Sequence, residues 1–325
     1  MCAKVSVNKL AMRKVQELID NASTLEVSVQ KTSNGATVID CGINVPGSFE
    51  VGKYVIEICL GGLGSASFSS IMIGDLVLPC VNVSVMHPAI STLASQFAGW
   101  RITDKDGKFF GMGSGPARAL ARKPKKMYEE LKYSDEADEA VLIIETSKMP
   151  NDQIAESIAK ACNINVKDLY LLVMPTRSLV GSIQVSGRIV ETCVHRLHVL
   201  GFDPLKIKYG FGFSTIAFLH PDDIVMMGRT NDQLMAGGCA YLFVEGDDKE
   251  LENLAKQAPA CASKDYGRPF YEIFKDAGFD FYKIDPGLFA PAMIIINNVK
   301  TGKTFVSGKL NADILRRSSD ITMIA

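Results

Sequence analysis

Val141-Leu142-Ile143-Ile144-Glu145 sets the architecture of this chain. Four apolar residues, too short a run for a helix, close on a carboxylate and read as a buried strand. A helical pattern follows over 151–162, a second apolar strand over 168–174, a long helix over 179–200 and a further strand over 206–210. Such alternation predicts a layered α/β unit. Back toward the start, 8–22 reads as a helix, 25–30 and 36–41 as strands, 50–59 as a helix, and 70–73 with 76–85 as strands of an antiparallel sheet. Toward the end, a helix is expected over 221–235, a strand over 239–245, a helix from Asp247, strands over 293–297 and 303–307, and a short helix near Asp313. The fold class is α/β with an α+β first part. At 325 residues the chain exceeds what a single core usually organises. The expected division is a first domain over 1–120, joined by a C-terminal return over 286–325, and a second domain over 121–285.

Composition narrows the function classes. Hydrophobic residues make up 47% and charged residues 22%, the balance of a globular protein. A formal net charge of −1 and a pI near 6.4 leave no broad basic surface for nucleic acid. The basic run Arg122-Lys123-Pro124-Lys125-Lys126 is followed by Glu129 and Glu130 and reads as a solvated connector. None of the 8 cysteines forms a C-x-x-C pair, so zinc and iron–sulfur spacings are missing. Met1-Cys2-Ala3-Lys4-Val5 lacks a signal-peptide core, which predicts a cytoplasmic protein with reduced cysteines. Residues 76–100 contain no Asp, Glu, Lys or Arg, yet Val81, Val83 and Val85 alternate with Asn82 and Ser84 as in a half-buried strand, so no membrane span is expected.

Within the long helical pattern, Gln184, Arg188, Glu191 and His195 fall at spacings of four, three and four and share one face, opposite Ile183, Val190, Val194 and Leu197. An amide, a guanidinium, a carboxylate and an imidazole make an unusual polar stripe. A guanidinium three residues before a carboxylate can hold it ionised and aimed, as a general base that activates water requires. The same spacing also fits a surface ion pair worth ~0.3–0.5 kcal/mol.

Other groups carry weaker signals. Gly111-Met112-Gly113-Ser114-Gly115-Pro116-Ala117-Arg118 fits either an anion-binding loop at a helix start, with Arg118 close by, or a plain connecting turn. It matches neither a dinucleotide fingerprint nor a Walker loop. Glu145, at the end of its strand, fits either a ligand crevice or a capping role. The histidines 87, 195, 198 and 220 supply no H-E-x-x-H and no three-ligand cluster. Lys264-Asp265-Tyr266 precedes an aromatic-rich stretch that could stack on a flat heterocycle or simply pack.

Taken together, Ile58-Cys59-Leu60-Gly61-Gly62-Leu63, Ser95-Gln96-Phe97-Ala98-Gly99-Trp100, the glycine stretch from Gly111, Ser178-Leu179-Val180-Gly181-Ser182, the run from Gln184 to Glu191, Thr230-Asn231-Asp232 and the block 263–291 resemble the methenyltetrahydromethanopterin cyclohydrolases, in the same order along the chain. The resemblance implies reversible hydrolysis of 5,10-methenyl-tetrahydromethanopterin to the 5-formyl compound. It also implies two α/β or α+β domains with a substrate cleft between them, a homotrimer, and neither metal nor organic cofactor. By motif, Arg188 and Glu191 match the family's catalytic pair and Glu145 a second acidic site residue. Ser182, Gln184, Lys264, Asp265 and Tyr266 are expected to contact substrate, and Gly111, Gly113, Ser114, Gly115 and Arg118 the phosphate of its tail. Arg177 and Arg229 stand where the resemblance leads one to expect smaller residues, which bears on the pterin variant accepted. Two other classes stay open: a non-catalytic pterin-binding protein, and a different pterin-dependent C1 enzyme. The second would need a dinucleotide loop if it transferred hydride.

Overall fold

The computed structural model describes residues 5–324, so the Met1–Lys4 part of the stretch read for a signal peptide lies outside it. The first helices and strands are α1 (Val7–Asp20), β1 (Ser28–Lys31), β2 (Thr37–Asp40), α2 (Phe49–Cys59), β3 (Gly64–Ile73) and β4 (Leu76–Val85). A wide π-type helix (Ala89–Gln96), β5 (Trp100–Thr103), β6 (Phe110–Ser114), α3 (Ala117–Ala121), α4 (Lys125–Glu130), β7 (Ala140–Glu145), α5 (Asp152–Cys162) and β8 (Leu169–Met174) follow. Then come α6 (Leu179–Ser186), α7 (Ile189–Val199), β9 (Ile207–Thr215), α8 (Asp223–Gly237) and β10 (Cys239–Val244). The chain ends with α9 (Asp248–Gln257), α10 (Phe270–Asp276), β11 (Met293–Asn298), β12 (Thr304–Gly308) and α11 (Ala312–Ser319). No helix among the described residues is long and apolar enough to cross a membrane.

The first compact unit joins the segment ending at Ser65 to Ala89–Gln184. Its sheet runs β1-β2-β8-β7-β6-β5, with β2, β8 and β7 parallel. Both faces are covered. Strand residues alternate between two cores: Val38, Leu142, Ile144, Leu171 and Val173 pack with α5, while Ile39, Val141, Ile143, Leu172 and Met174 pack with α1 and α2. The helices begin where side chains satisfy their first amides, Ser6 accepting from the Lys9 N–H, Ser48 from Val51 and Asn151 from Ile154.

The second unit joins Ala66–Pro88 to the chain from Val185 onward, around a sheet ordered β12-β11-β10-β9-β4-β3. This division replaces the expected one of 1–120 with 286–325 against 121–285. Two long-range pairings cause it: β8 pairs with β2, drawing 140–174 to the N-terminal helices, and β4 pairs with β9, drawing the 64–85 hairpin to the C-terminal half. On this sheet Val81, Val83, Leu242, Val244, Ile294 and Ile296 are buried, whereas Tyr209, Phe211 and Phe243 are exposed. The exposed rings form cross-strand pairs, Tyr209 with Phe243 and Phe211 with Tyr241, each worth ~0.2–1 kcal/mol.

Asp232, fully buried on α8, ties three helices by accepting from the Phe270 N–H at 2.9 Å and the Ser318 hydroxyl at 2.6 Å. Burial pushes its carboxyl up to about 7, against the lowering effect of those two bonds and with help from Glu272. A carboxyl whose folded value lies above its unfolded one contributes stability at low pH, and that contribution is lost as the pH rises through 7. Asp232→Asn keeps the acceptor without the charge. Its melting temperature should match the parent at pH 4 and exceed it at pH 8, by the equivalent of about 1–3 kcal/mol. A lower value for the variant at pH 8 would contradict the assignment.

Candidate active site

The 179–200 pattern is two helices rather than one. Gly187 and Arg188 form a turn, with Arg188 at φ −85° and ψ 4°, its N–H donating to Val185 O at 3.0 Å and its own carbonyl accepting from Thr192 at 2.8 Å. Glycine is a poor helix interior residue, and the break moves Arg188 and Glu191 to the beginning of a new helix. Glu191 therefore lies in the first turn of α7, where the unsatisfied N–H groups and the helix dipole favour an anion. Gln184 stays behind on α6.

Arg188 and Glu191 are nearly enclosed, with side chains 11% and 8% exposed, and Arg188 Nη1 stands 3.9 Å from Glu191 Oε2. That separation gives charge stabilisation without a direct hydrogen bond. The pair is thus not the solvated surface ion pair that its spacing alone also allowed. One turn on, His195 is largely buried, and desolvation, with help from the positive charges of His198 and Arg196, pushes its imidazole down to about 4. It is neutral at physiological pH.

In the first unit Glu145 closes β7 between Met112 of β6 and Met174 of β8, at the carboxyl ends of the parallel strands. Thr176 donates its hydroxyl to Glu145 Oε1, and Gln184 Nε2 donates to Oε2 at 2.9 Å. Thr176, just past the β8 strand, is a partner of Glu145 that was not named among the expected site residues. Asp40, at the same end of β2, shows the contrast. Its carboxylate is saturated by the amides of Gly42, Ile43 and Asn44 and by the Asn44 side chain, which makes it a loop brace. Ser182 is fully buried on α6.

The glycine stretch has a different role from the anticipated anion loop. Gly111, Gly113 and Ser114 belong to β6, an interior strand paired with both β5 and β7, so its backbone serves the sheet. A Cβ at Gly111 would come within 2.4 Å of Ile144 Cγ2, and Gly115 has φ +99° with Ile143 where a side chain would go. The Gly115 N–H donates to Ser95 O at 2.8 Å. Arg118 also departs from expectation. It is 0% exposed, Nε donates to Lys123 O at 2.9 Å and Nη1 to Ser95 O at 2.9 Å and Leu93 O at 3.2 Å, so it braces the main chain instead of meeting an anion.

Lys264, Asp265 and Tyr266 sit on a separate turn. Lys264 is exposed, Asp265 accepts from the Asp285 N–H at 2.7 Å, and the Tyr266 hydroxyl accepts from Asn311 Nδ2 at 3.2 Å. Among the described residues no group of three or more His, Cys, Asp or Glu could hold a metal ion.

A family model described as Cyclohydrolase (MCH) matches residues 6–319. The methenyltetrahydromethanopterin cyclohydrolase of Methanocaldococcus jannaschii is 52% identical over 318 residues, covering 97% of this chain and 98% of that protein. Proteins of the same name from Methanococcus aeolicus, at 49% over 97% of this chain and 98% of that protein, and Methanothermobacter marburgensis, at 47% over 97% and 99%, are similar over the same extent.

Proposed function

The chain belongs to the methenyltetrahydromethanopterin cyclohydrolase family, and from that membership we propose how its side chains divide the work of ring opening. The reaction is the reversible hydrolysis of 5,10-methenyl-tetrahydromethanopterin to the 5-formyl compound, a step of C1 metabolism in methanogens. The substrate is an amidinium-like cation whose bridging carbon is already electrophilic, so the protein's task is to place a water and move protons.

The placement of Glu191 carries the reading: an enclosed carboxylate in the first turn of α7, with a guanidinium 3.9 Å away. Glu191 accepts a proton from the attacking water as its oxygen bonds to the methenyl carbon. The resulting carbinolamine loses its hydroxyl proton as the C–N bond to the departing nitrogen breaks, and that nitrogen takes up a proton, leaving the formyl group on the other. One proton is released overall, as conversion of a cation to a neutral amide requires. Arg188, 3.9 Å away, orients Glu191 by charge. By the family likeness we assign Glu145, aimed by Thr176 and Gln184, to offset the positive charge of the substrate. Ser182, Lys264, Asp265 and Tyr266 are assigned to substrate binding by the family likeness alone.

Anaerobic loss of the conjugated methenyl absorbance, followed with purified protein, tests the activity. Glu145→Gln should lower kcat/KM by about 10–100-fold, mainly through KM, the cost of a charged hydrogen-bonding group worth ~1.5–3 kcal/mol. An unchanged KM would remove Glu145 from the site. We further place the protein in the cytoplasm as a homotrimer. The exposed Tyr209, Phe211 and Phe243 form the apolar surface that such an assembly would bury, and sedimentation equilibrium reads its mass.

A further inference from the structure

A cavity of about 360 Å³ in the second unit is walled by Val225, Pro269 and Tyr271 and carries Arg229, Arg317 and His220. Arg229 is built in like a ligand-binding arginine. Its side chain is 7% exposed, and Nη1 donates to Phe218 O at 3.3 Å and Leu219 O at 3.4 Å, which fixes the plane of the guanidinium. Its other edge is only half used. Nη2 donates to Asp320 Oδ2 at 2.9 Å, while the neighbouring Nε, equally buried, has no acceptor. An arginine presents Nε–H and Nη2–H as a parallel fork matched to two oxygens of one carboxylate or phosphate. Asp320 fills one prong only, and it does so from a side chain 83% exposed at the end of α11. Of the other lining groups, Arg317 is already paired with Glu272, which lines the cavity too, and His220 accepts the Asp222 N–H at Nδ1, so the open fork of Arg229 carries the reading.

We propose that this cavity is an anion-binding site, taking a phosphate or carboxylate across the Nε–Nη2 edge of Arg229 in place of Asp320. The occupant's anionic group completes the fork, and Asp320 is an internal competitor that covers half of it when the site is empty. The assignment stands independently of the roles given to Glu191 and Glu145. Two sources present this chemistry, a free small anion and the anionic tail of the pterin.

Isothermal titration with inorganic phosphate and with glutarate, on the wild type, Asp320→Ala and Arg229→Lys, tests the proposal. Removing the competitor should tighten binding of at least one of the two anions by about 5–10-fold. Arg229→Lys, which keeps the charge and loses the fork, should weaken it at least tenfold. Asp320 is exposed, so its variant reads the site even where an Arg229 change unfolds the protein. No binding of either anion to Asp320→Ala, or equal binding in the wild type and Arg229→Lys, overturns the proposal. KM values for the intact substrate and one trimmed of its tail then separate the sources. A drop in KM for Asp320→Ala confined to the intact substrate identifies the tail, and unchanged KM values with anion binding retained identify a separate small anion.

Discussion

Glu191→Gln should lower kcat for ring opening roughly 100- to 10,000-fold, the usual contribution of a positioned general base, a loss larger than any accompanying rise in KM. The substitution is close to isosteric, so the first turn of α7 and the enclosure of the site persist. What is lost is the ability to take a proton from water. Loss of the charge 3.9 Å from Arg188 removes an attraction between two nearly enclosed groups, so some destabilisation accompanies the kinetic loss, and a melting curve reads it separately from turnover. Normal turnover by folded Glu191→Gln would eliminate the base assignment, whatever its stability.

The alternation of apolar strands with helical periods was legible, and the structure contains those elements because both signals are local: strand residues of β7 and β8 fill two cores by simple alternation, and Ser6, Ser48 and Asn151 cap the helices that follow them. The Arg188/Glu191 pair was legible for the same reason, since a spacing of three lies within one turn. Features that depend on distant partners were not. The break at Gly187-Arg188 was hidden because a glycine in a helix costs only ~1 kcal/mol and apolar periodicity continues on both sides of it. The assignment of 66–88 to the second unit rests on pairing of β4 with β9, which no local pattern encodes.

The β6 glycines are a case where the signal was present and misread. Gly111, Gly113 and Gly115 recur at every second position, the period of a strand, and Gly111 and Gly115 make room for Ile144 and Ile143 packed against them. Once that segment is a strand, the residue after it is no longer at the mouth of a phosphate loop, and the role of Arg118 changes with it.

Arg118→Met should therefore be a stability variant and not a binding variant. The guanidinium is wholly enclosed, donates to the carbonyls of Leu93, Ser95 and Lys123, and lies 5.3 Å from the Phe97 ring centre and 5.9 Å from that of Tyr128. Methionine fills much of the volume and satisfies none of those acceptors. Each buried carbonyl left without a partner costs about 1–3 kcal/mol, less whatever relaxation or water recovers, and the lost cation–π contacts add to the sum. A total of ~3–5 kcal/mol is expected, a fall in melting temperature of about 6–20 °C in a unit of this size. Arg118→Lys retains the charge, can reach one or two of the carbonyls and should fall between the two. At temperatures where Arg118→Met remains folded, KM for the methenyl substrate should equal that of the parent, because the side chain has no exposed surface to offer a phosphate. The opposite pattern, a raised KM with an unchanged melting temperature, would restore Arg118 to the substrate's tail and require the 93–95 and 118–123 segments to open in solution.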